Sequence, residues 1–229
     1  MLSLRTILVV LTGVCAVFAA PMTTDIVKRE PSELAKRLTV TTSTTGTSGN
    51  YWYSCYIEAN TGATMTIGTG TYSLSWQTSS IDVVAGIGWA TGAARTITYT
   101  GSISASGDSL LALYGWTTSP LVEYYVIETY GTYNPGSAGT YKGTVTSDGS
   151  VYDIYEVVRS NAPSILGTQT FNQYLSIRVN KRTSGTITFQ NHINAWASLG
   201  LTLGTWNYQI MATEGYESAG SSSMTIVSS

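Results

Sequence analysis

Two glutamates lie where an acidic side chain is costly. Glu123 falls inside residues 120–128 (PLVEYYVIE), a run of β-branched and aromatic residues, and Glu214 follows the largely apolar stretch that begins at Tyr208. Charged side chains are rare in such strands unless another group pairs with them or uses them. Only 10% of the chain is charged, against about 25% in an average domain. The two positions therefore indicate a site built on paired carboxylates.

Paired carboxylates are the catalytic groups of glycoside hydrolysis. One donates a proton to the leaving oxygen, and the other attacks the anomeric carbon or activates water. When the two lie about 5 to 5.5 Å apart, the second is a nucleophile and the configuration is retained. The 16 Tyr and 6 Trp residues suit a sugar groove, because flat rings cover the apolar faces of pyranoses. The pattern alone leaves open that both glutamates are ordinary solvent-facing strand residues.

Apolar and polar residues alternate with period two along most of the chain, which predicts half-buried strands. The strand-like segments are short and are separated by turn signals such as Gly107-Asp108 and Asp148-Gly149. Residues 191–200 instead have helical spacing, with Gly200 at the expected C-terminal cap. Many short antiparallel strands and one helix predict a single all-β domain, a sandwich or jelly roll. The alternation places three pairs on common strand faces: Tyr114 with Trp116, Glu123 with Tyr125, and Tyr208 with Glu214.

The N-terminal residues have the pattern of a targeting segment. Arg5 precedes a short apolar run, and a small-residue cleavage site ends at Ala19, so residues 1–19 are predicted to be a signal peptide. Residues 20–37 are predicted to be a propeptide ending in Lys36-Arg37, which leaves 38–229 as the mature domain; the alternative is an arm that stays attached. The apolar run is too short for a membrane span. We therefore expect a secreted, extracellular protein with no membrane partner.

The rest of the composition argues against several functions. The mature domain would carry a net charge of about −4, which does not suit a nucleic-acid partner. Cys55 would be its single cysteine and is expected to be a buried thiol, and His192, the single histidine, is expected to be structural. No Cys/His cluster or glycine-rich phosphate loop occurs. We therefore expect no metal and no cofactor, and we expect a monomer.

The residues around both glutamates resemble the two active-site signatures of the family 11 endo-1,4-β-xylanases. The resemblance runs from about Tyr51 to Thr225 and includes residues 145–155 (VTSDGSVYDIY), 163–167 (PSILG) and 192–197 (HINAWA). It implies a β-jelly roll of two curved antiparallel sheets with one helix, shaped like a partly closed hand. It further implies a thumb hairpin over residues 159–173, and a xylan backbone lying in the concave groove. The strand pattern by itself predicts a long loop across 159–168.

The same resemblance assigns roles to individual residues. Glu123 would be the nucleophile and Glu214 the acid/base of a retaining endo-1,4-β-xylanase. The negative charge of Glu123 would then raise the pKa of Glu214 and keep it protonated. The implied substrate-binding residues are Tyr56, Tyr114, Trp116, Tyr125, Arg159, Pro163, Ser164, Ile165, Gln173 and Tyr208.

One further position matches a variable site of the family, and three depart from the family pattern. Asp82 stands where members have Asn or Asp beside the acid/base, and Asp there goes with an acidic working pH; the alternative is an exposed strand residue. Tyr56 replaces a customary Trp, Leu110 a frequent Tyr, and Glu217 an uncharged or basic residue. These changes keep two further hypotheses open. One is a catalytically weak xylan-binding protein, and the other is a β-glucanase on the same fold.

Overall fold

The computed structural model describes residues 37–58, 62–77 and 82–228. The predicted signal peptide, and the predicted propeptide except for Arg37, lie outside these residues. Within them the chain is mostly strand, with a 3₁₀ helix at Pro135–Ala138 and one α-helix, α1, at Phe189–Ser198. No described helix is both long enough and apolar enough to cross a bilayer. The strands are β1 (Leu38–Val40), β2 (Thr44–Ser48), β3 (Tyr51–Ile57), β4 (Thr64–Gly68), β5 (Thr71–Trp76), β6 (Asp82–Trp89), β7 (Thr96–Thr118), β8 (Val122–Tyr130), β9 (Thr140–Ser147), β10 (Ser150–Ser164), β11 (Gly167–Arg178), β12 (Gly185–Thr188) and β13 (Thr205–Ser228).

The two longest strands, β7 and β13, pair with each other along most of their length, and through them the described strands form one continuous hydrogen-bonded sheet. Around one half of this pair lie β5, β4 and β1 on the β13 side and β12 on the β7 side. Around the other half, β6, β3 and β2 extend from β13, and β8, β11, β10 and β9 extend from β7. The all-β fold with one helix, predicted from the sequence, is confirmed.

The Gly107-Asp108 pair, which the sequence predicted to be a turn, lies inside β7. Gly107 has φ +103, and the opposite strand β13 is irregular between Tyr216 and Ala219, where Glu217 has φ +46. An extra residue in one strand bends it and increases its twist. β7 and β13 therefore bend together here and continue past the bend, which makes both strands longer than the pattern predicted.

One neighbouring pair of strands departs from the predicted antiparallel arrangement, because β8 and β11 run parallel. β11 returns from a hairpin with β10, and that return brings it alongside β8 in the same direction. The parallel register places Gln173 directly beside Glu123. Two residues far apart in the sequence thus become neighbours at the site described below.

Residues 159–173 form a paired hairpin, as the resemblance implied, but strand pairing reaches almost to its tip, so the loop is shorter than the strand pattern predicted. β10 and β11 pair up to Ser164 and Gly167, with a shift of register between Arg159 and Ala162, and the chain reverses at Ile165 and Leu166. The Ser164 hydroxyl donates to the Gly167 carbonyl at 2.6 Å and accepts from the Leu166 N–H at 3.0 Å. These bonds satisfy polar groups at the turn. The hairpin tip therefore has a defined position.

The helix begins two residues before the predicted stretch, because Phe189 extends its apolar face. Phe189 is fully buried and its ring stacks on that of Tyr124 at 5.1 Å between centroids. At the other end the Gly200 N–H bonds the Ala197 carbonyl at 3.1 Å, and Gly200 has φ +79. A left-handed glycine is the usual residue just past a helix C-terminus, as the sequence predicted.

His192 lies on the buried side of α1 and has no polar partner among the described residues. Its ring stands edge-on to Tyr152, 4.6 Å between centroids, and both ring nitrogens are buried without a hydrogen bond. Burial lowers the pKa of His192 to about 3; Asp148 opposes this shift, and Arg178 adds to it. The folded protein therefore keeps this ring neutral at pH values where the unfolded chain protonates it.

We expect His192→Leu to make the fold less sensitive to acid. Below pH 6.5 the unfolded state binds a proton at His192 that the folded state does not bind. His192 therefore lowers the free energy of unfolding by up to about 1.4 kcal/mol per pH unit, until the pH reaches the pKa of the folded state. Urea unfolding of both proteins at pH 7.5 and pH 4.5 tests this. The variant should lose less stability between the two values, and equal losses would contradict the prediction.

Candidate active site

An open cleft of about 1370 Å³ lies over the face that bears Glu123 and Glu214. Its volume exceeds the roughly 300 to 1,000 Å³ of a typical small-molecule pocket, so it suits a segment of a polymer. Residues from the tip of the 159–173 hairpin line one side of it. Apolar side chains of five strands contribute to its lining: Val84, Leu110, Ile127, Val157, Phe171 and Leu175.

Glu123 is a buried carboxylate held by three donors. The hydroxyls of Tyr114 and Tyr125 donate to its Oε1 at 2.8 Å and 3.0 Å, and Gln173 Nε2 donates to its Oε2 at 2.6 Å. Burial raises the pKa of Glu123, while these hydrogen bonds and the positive charge of Arg159 lower it. The donors thus favour the ionised form and fix its orientation.

One of these donors, Tyr114, is itself oriented by a hydrogen bond from Trp116. Trp116 Nε1 donates to the Tyr114 hydroxyl at 2.7 Å, so the proton of Tyr114 is left to point at Glu123. Burial raises the pKa of Tyr114 and of Tyr125 well above the usual range, so both stay protonated. Trp116 is only 3% exposed and packs on Phe171. Its main contact with the site is therefore through Tyr114.

Glu214 reaches the same point from the neighbouring part of the sheet. It pairs with Leu110 on β7 and Val84 on β6, and its Oε2 lies 3.2 Å from the Tyr125 hydroxyl. Because that hydroxyl is 3.0 Å from Glu123 Oε1, the two carboxyl oxygens are at most about 6 Å apart, close to the spacing of retaining glycosidases.

The environments of the two carboxyls push their pKa values apart. Burial raises the pKa of Glu214 well above its usual range, and the charges of Asp82 and Glu123 raise it further. Within the described part of the chain, Glu214 has one hydrogen-bonding neighbour, the Tyr125 hydroxyl, whereas Glu123 accepts three hydrogen bonds. A protonated acid beside an ionised carboxylate is the arrangement that acid catalysis with nucleophilic attack requires.

Asp82 lies beside this pair rather than in solvent. It starts β6, two residues before the Val84 that pairs with Glu214, and it lines the cleft. Its Oδ1 is buried with no hydrogen-bond partner in the described part of the chain. Burial raises the pKa of Asp82 to about 7, the charge of Glu123 adds to this, and that of Arg159 opposes it.

Comparison with known proteins places the chain in a family. Residues 48–225 match the model of the glycosyl hydrolases family 11. The chain belongs to that family. It is 49% identical to endo-1,4-β-xylanase 11A of Botryotinia fuckeliana, over 99% of this chain and 100% of that protein. It is 55% identical to endo-1,4-β-xylanase 2 of Rhizopus oryzae, over 86% of this chain and 90% of that protein.

A solved structure agrees with this placement. It comes from a comparison of the two major endo-1,4-β-xylanases of Trichoderma reesei, and it matches this chain with a TM-score of 0.69 and 45% identity. The match covers 82% of this chain and 97% of the other. The jelly-roll fold that the resemblance implied is therefore confirmed.

The cleft of this family 11 hydrolase contains every residue that the sequence analysis assigned to the site. Besides the residues described above, its lining includes Tyr56, Arg159, Pro163, Ser164, Ile165 and Tyr208. Tyr56 is 38% exposed and offers a ring face to a ligand, whereas the Tyr208 ring packs between those of Trp52 and Tyr114.

Several residues of the cleft were not predicted from the sequence, among them Tyr216, Glu58 and Asp108. Tyr216 lies two residues after Glu214, on the same face of β13, so the period-two pattern carried a signal for it. Glu58 and Asp108 also line the cleft, but nothing in their local sequence distinguishes them from solvated carboxylates.

Two other reactive side chains of this family 11 hydrolase are buried, although Cys55 also belongs to the cleft lining. Burial raises the pKa of the Cys55 thiol to about 11, so it stays protonated and unreactive. His192 is buried against Tyr152 and does not line the cleft. Across residues 37–58, 62–77 and 82–228, no group of His, Cys, Asp or Glu is placed to hold a metal ion.

Proposed function

We propose that this protein is a retaining endo-1,4-β-xylanase that hydrolyses internal bonds of xylan. The observation that carries the proposal is the Tyr125 hydroxyl, 3.0 Å from Glu123 and 3.2 Å from Glu214. One hydroxyl in contact with both carboxyls keeps Glu123 Oε1 and Glu214 Oε2 within about 6.2 Å of each other, which favours the roughly 5 to 5.5 Å spacing of a retaining pair over the roughly 6.5 to 9.5 Å of an inverting pair. Two of its similar relatives are named endo-1,4-β-xylanases.

In the first step Glu123 attacks as the anion. Its carboxylate oxygen forms a bond to the anomeric carbon, the glycosidic bond breaks, and Glu214 gives its proton to the leaving oxygen. Tyr125 has a single proton, so it can donate to ionised Glu123 while it accepts from protonated Glu214. Tyr114 and Gln173 hold the nucleophile in place.

In the second step Glu214 becomes the base. Once Glu123 is esterified its charge is gone, so the pKa of Glu214 falls. Glu214 can then take a proton from water while the water oxygen attacks the anomeric carbon and releases Glu123. The two displacements together restore the original configuration. No step calls for a cofactor.

Substrate binding would use the rings and the hairpin tip. Tyr56 would stack on a sugar ring, although its area is smaller than that of Trp. The hairpin tip would cover the bound xylan with Pro163, Ser164 and Ile165. The xylan backbone, which is uncharged, would lie across the cleft. We further propose that the protein is secreted and works as a monomer.

The test is hydrolysis of defined polymers by residues 38–229. Sugar release from xylan and little from cellulose is expected, and proton NMR of fresh products should show the β-anomer first. Release from β-1,4-glucan at a similar rate would favour the β-glucanase hypothesis. Binding of xylan without release would favour a recognition protein, and α-anomer formed first would contradict the retaining mechanism.

We also propose that Asp82 gives the enzyme an acidic working range. A protonated Asp82 can donate a hydrogen bond toward Glu214, whereas an ionised Asp82 repels it. Because the pKa of Asp82 is about 7, the protonated form predominates on the acidic side and is lost as the pH rises through that value. Activity should therefore decline above about pH 7.

Asp82→Asn tests the role of Asp82, because the amide is a hydrogen-bond donor at every pH. We expect the descending limb of the kcat/KM profile to move to higher pH by about one unit, measured on a neutral xylo-oligosaccharide. An unchanged profile would contradict the proposal. A shift to lower pH would contradict it too, because it would show that the charge of Asp82 mainly supports the proton of Glu214.

A further inference from the structure

The cleft carries far more negative than positive side chains. Among the described residues that line it, the only cation is Arg159. A groove with low-dielectric walls and one sign of charge concentrates its field on whatever enters it. The acidic residues that line it are Glu58, Asp82, Asp108, Glu123, Glu214 and Glu217.

Four of these carboxylates are grouped at one end of the cleft. Tyr216 on β13 pairs with Asp82 on β6 and with Asp108 on β7, so the three form one row across the sheet. The Glu58 N–H donates to the Asp82 carbonyl at 2.9 Å, and Glu217 follows Tyr216. We call Glu58, Asp82, Asp108 and Glu217 the acidic row.

The acidic row lies beyond Glu214 as seen from Glu123. On β7, Trp116 pairs with Glu123 and Leu110 pairs with Glu214. Asp108 lies two residues beyond Leu110 in the direction away from Trp116. The acid/base must stand next to the oxygen that leaves, and the nucleophile next to the sugar that stays. The acidic row therefore borders the leaving-group half of a bound chain.

No ion pair neutralises the acidic row within the described residues, and the one cation of the cleft lining, Arg159, acts on Asp82 alone among its members. In the described part of the chain the two ion pairs are Lys142–Glu156 and Arg182–Glu128, and neither involves the row. Burial raises the pKa of Asp108, and the charge of Glu217 raises it further, so these two carboxylates lie near enough to repel each other. Glu58 and Glu217 are exposed and can face an incoming ligand.

Two further features show that this end of the cleft is shaped for a sugar chain. The ring of Tyr216 is 45% exposed in the middle of the acidic row, which provides a flat surface for stacking on a neutral sugar. Glu217 has φ +46 at the β13 irregularity, opposite the bend of β7. Irregularities of this kind redirect side chains next to active sites.

We propose that the acidic row selects against xylan that carries uronic acid groups near the bond to be cleaved, on its leaving-group side. The inference rests on the proposed xylanase function. Unsubstituted or neutrally substituted chains meet the Tyr216 ring without an electrostatic cost, whereas a uronate would approach the carboxylates of Glu58, Asp108 and Glu217, which carry the same sign. Asp82 adds to this repulsion only where it is ionised. Like-charge juxtaposition is an effective way to exclude a wrong ligand.

The test compares two polymers that differ only in charge: glucuronic acid-substituted xylan, and the same polymer after chemical reduction of its carboxyl groups to alcohols. We expect the wild-type kcat/KM to be about tenfold higher on the reduced polymer at low ionic strength. The difference should shrink in about 0.5 M salt, because these charges are exposed to solvent and are screened.

Variants identify the residues responsible. In the double variant Asp108→Asn/Glu217→Gln the ratio of the two rates should fall to about threefold or less. Glu217→Asp, which keeps the charge, and Asp153→Asn, which removes a charge outside the cleft lining, should keep the wild-type ratio. Equal wild-type rates on both polymers, or a ratio that the double variant does not change, would overturn the inference.

Unsubstituted xylo-oligosaccharides separate the two possible failures. If the wild type cleaves them but does not discriminate between the charged and reduced polymers, the inference about the acidic row is wrong and the proposed function stands. If it cleaves none of the three substrates, the proposed function is wrong.

Discussion

Glu123→Gln is expected to lower kcat on xylan by about 10⁴-fold or more, a loss of roughly 5.5 kcal/mol of transition-state stabilisation. The amide has the size of the carboxylate but cannot attack the anomeric carbon. In the wild type, Gln173 donates to Glu123 Oε2 at 2.6 Å. In the variant, the Gln173 side chain can rotate so that its carbonyl oxygen accepts a hydrogen bond from the amide at position 123. The fold should therefore survive the change, which thermal unfolding of both proteins would verify.

Glu123→Ala provides a sharper test of the nucleophile. The shorter side chain leaves space below the anomeric carbon, and added azide can attack from the face that Glu123 occupied. Glu214 still protonates the leaving oxygen, so an aryl β-xylobioside should yield the α-xylobiosyl azide. Residual activity near the wild-type level without azide would show that another residue is the nucleophile, and a β-azide would show that Glu123 is not the group on that face.

Strand faces could be predicted from the sequence because the period of two is a local property. The alternation placed Glu123 and Tyr125 on one face, and in the structure the Tyr125 hydroxyl donates a hydrogen bond to Glu123. The Asp148-Gly149 turn was equally local. Both residues have positive φ, 50 and 77, as a two-residue hairpin turn of this kind requires. Local sequence patterns were therefore enough to predict these strand faces and this turn.

Neighbours across strands could not be predicted this way, because topology decides them. Gln173 lies beside Glu123 only since β8 and β11 run parallel, and the strand pattern contains no information on strand direction. The resemblance identified Gln173, but it did not identify Asp108. That residue was hidden by the Gly107-Asp108 turn prediction, and it reaches the cleft because β7 continues through its bend.

Replacing Glu214 should produce a different kinetic signature from replacing Glu123. Glu214→Gln is expected to lower kcat on xylan by about 10² to 10⁴-fold, the usual contribution of a positioned general acid. The loss should depend on the leaving group. Xylose leaves as a poor alkoxide and needs the proton, whereas a dinitrophenolate leaves without one. On a dinitrophenyl β-xylobioside the formation of the covalent intermediate should therefore be close to the wild-type rate.

The second step then becomes limiting, because no base activates water in Glu214→Gln. A burst of dinitrophenol followed by slow turnover is expected, and azide, which needs no base, should speed turnover and give the β-xylobiosyl azide by two displacements. The part of the wild-type descending limb that reports the proton on Glu214 should disappear, whereas any part that reports the proton on Asp82 should remain. An equal loss on both substrates, with that limb intact, would assign the proton transfer to another group, and Asp82 would be the first to test because its pKa is also raised in the same cleft.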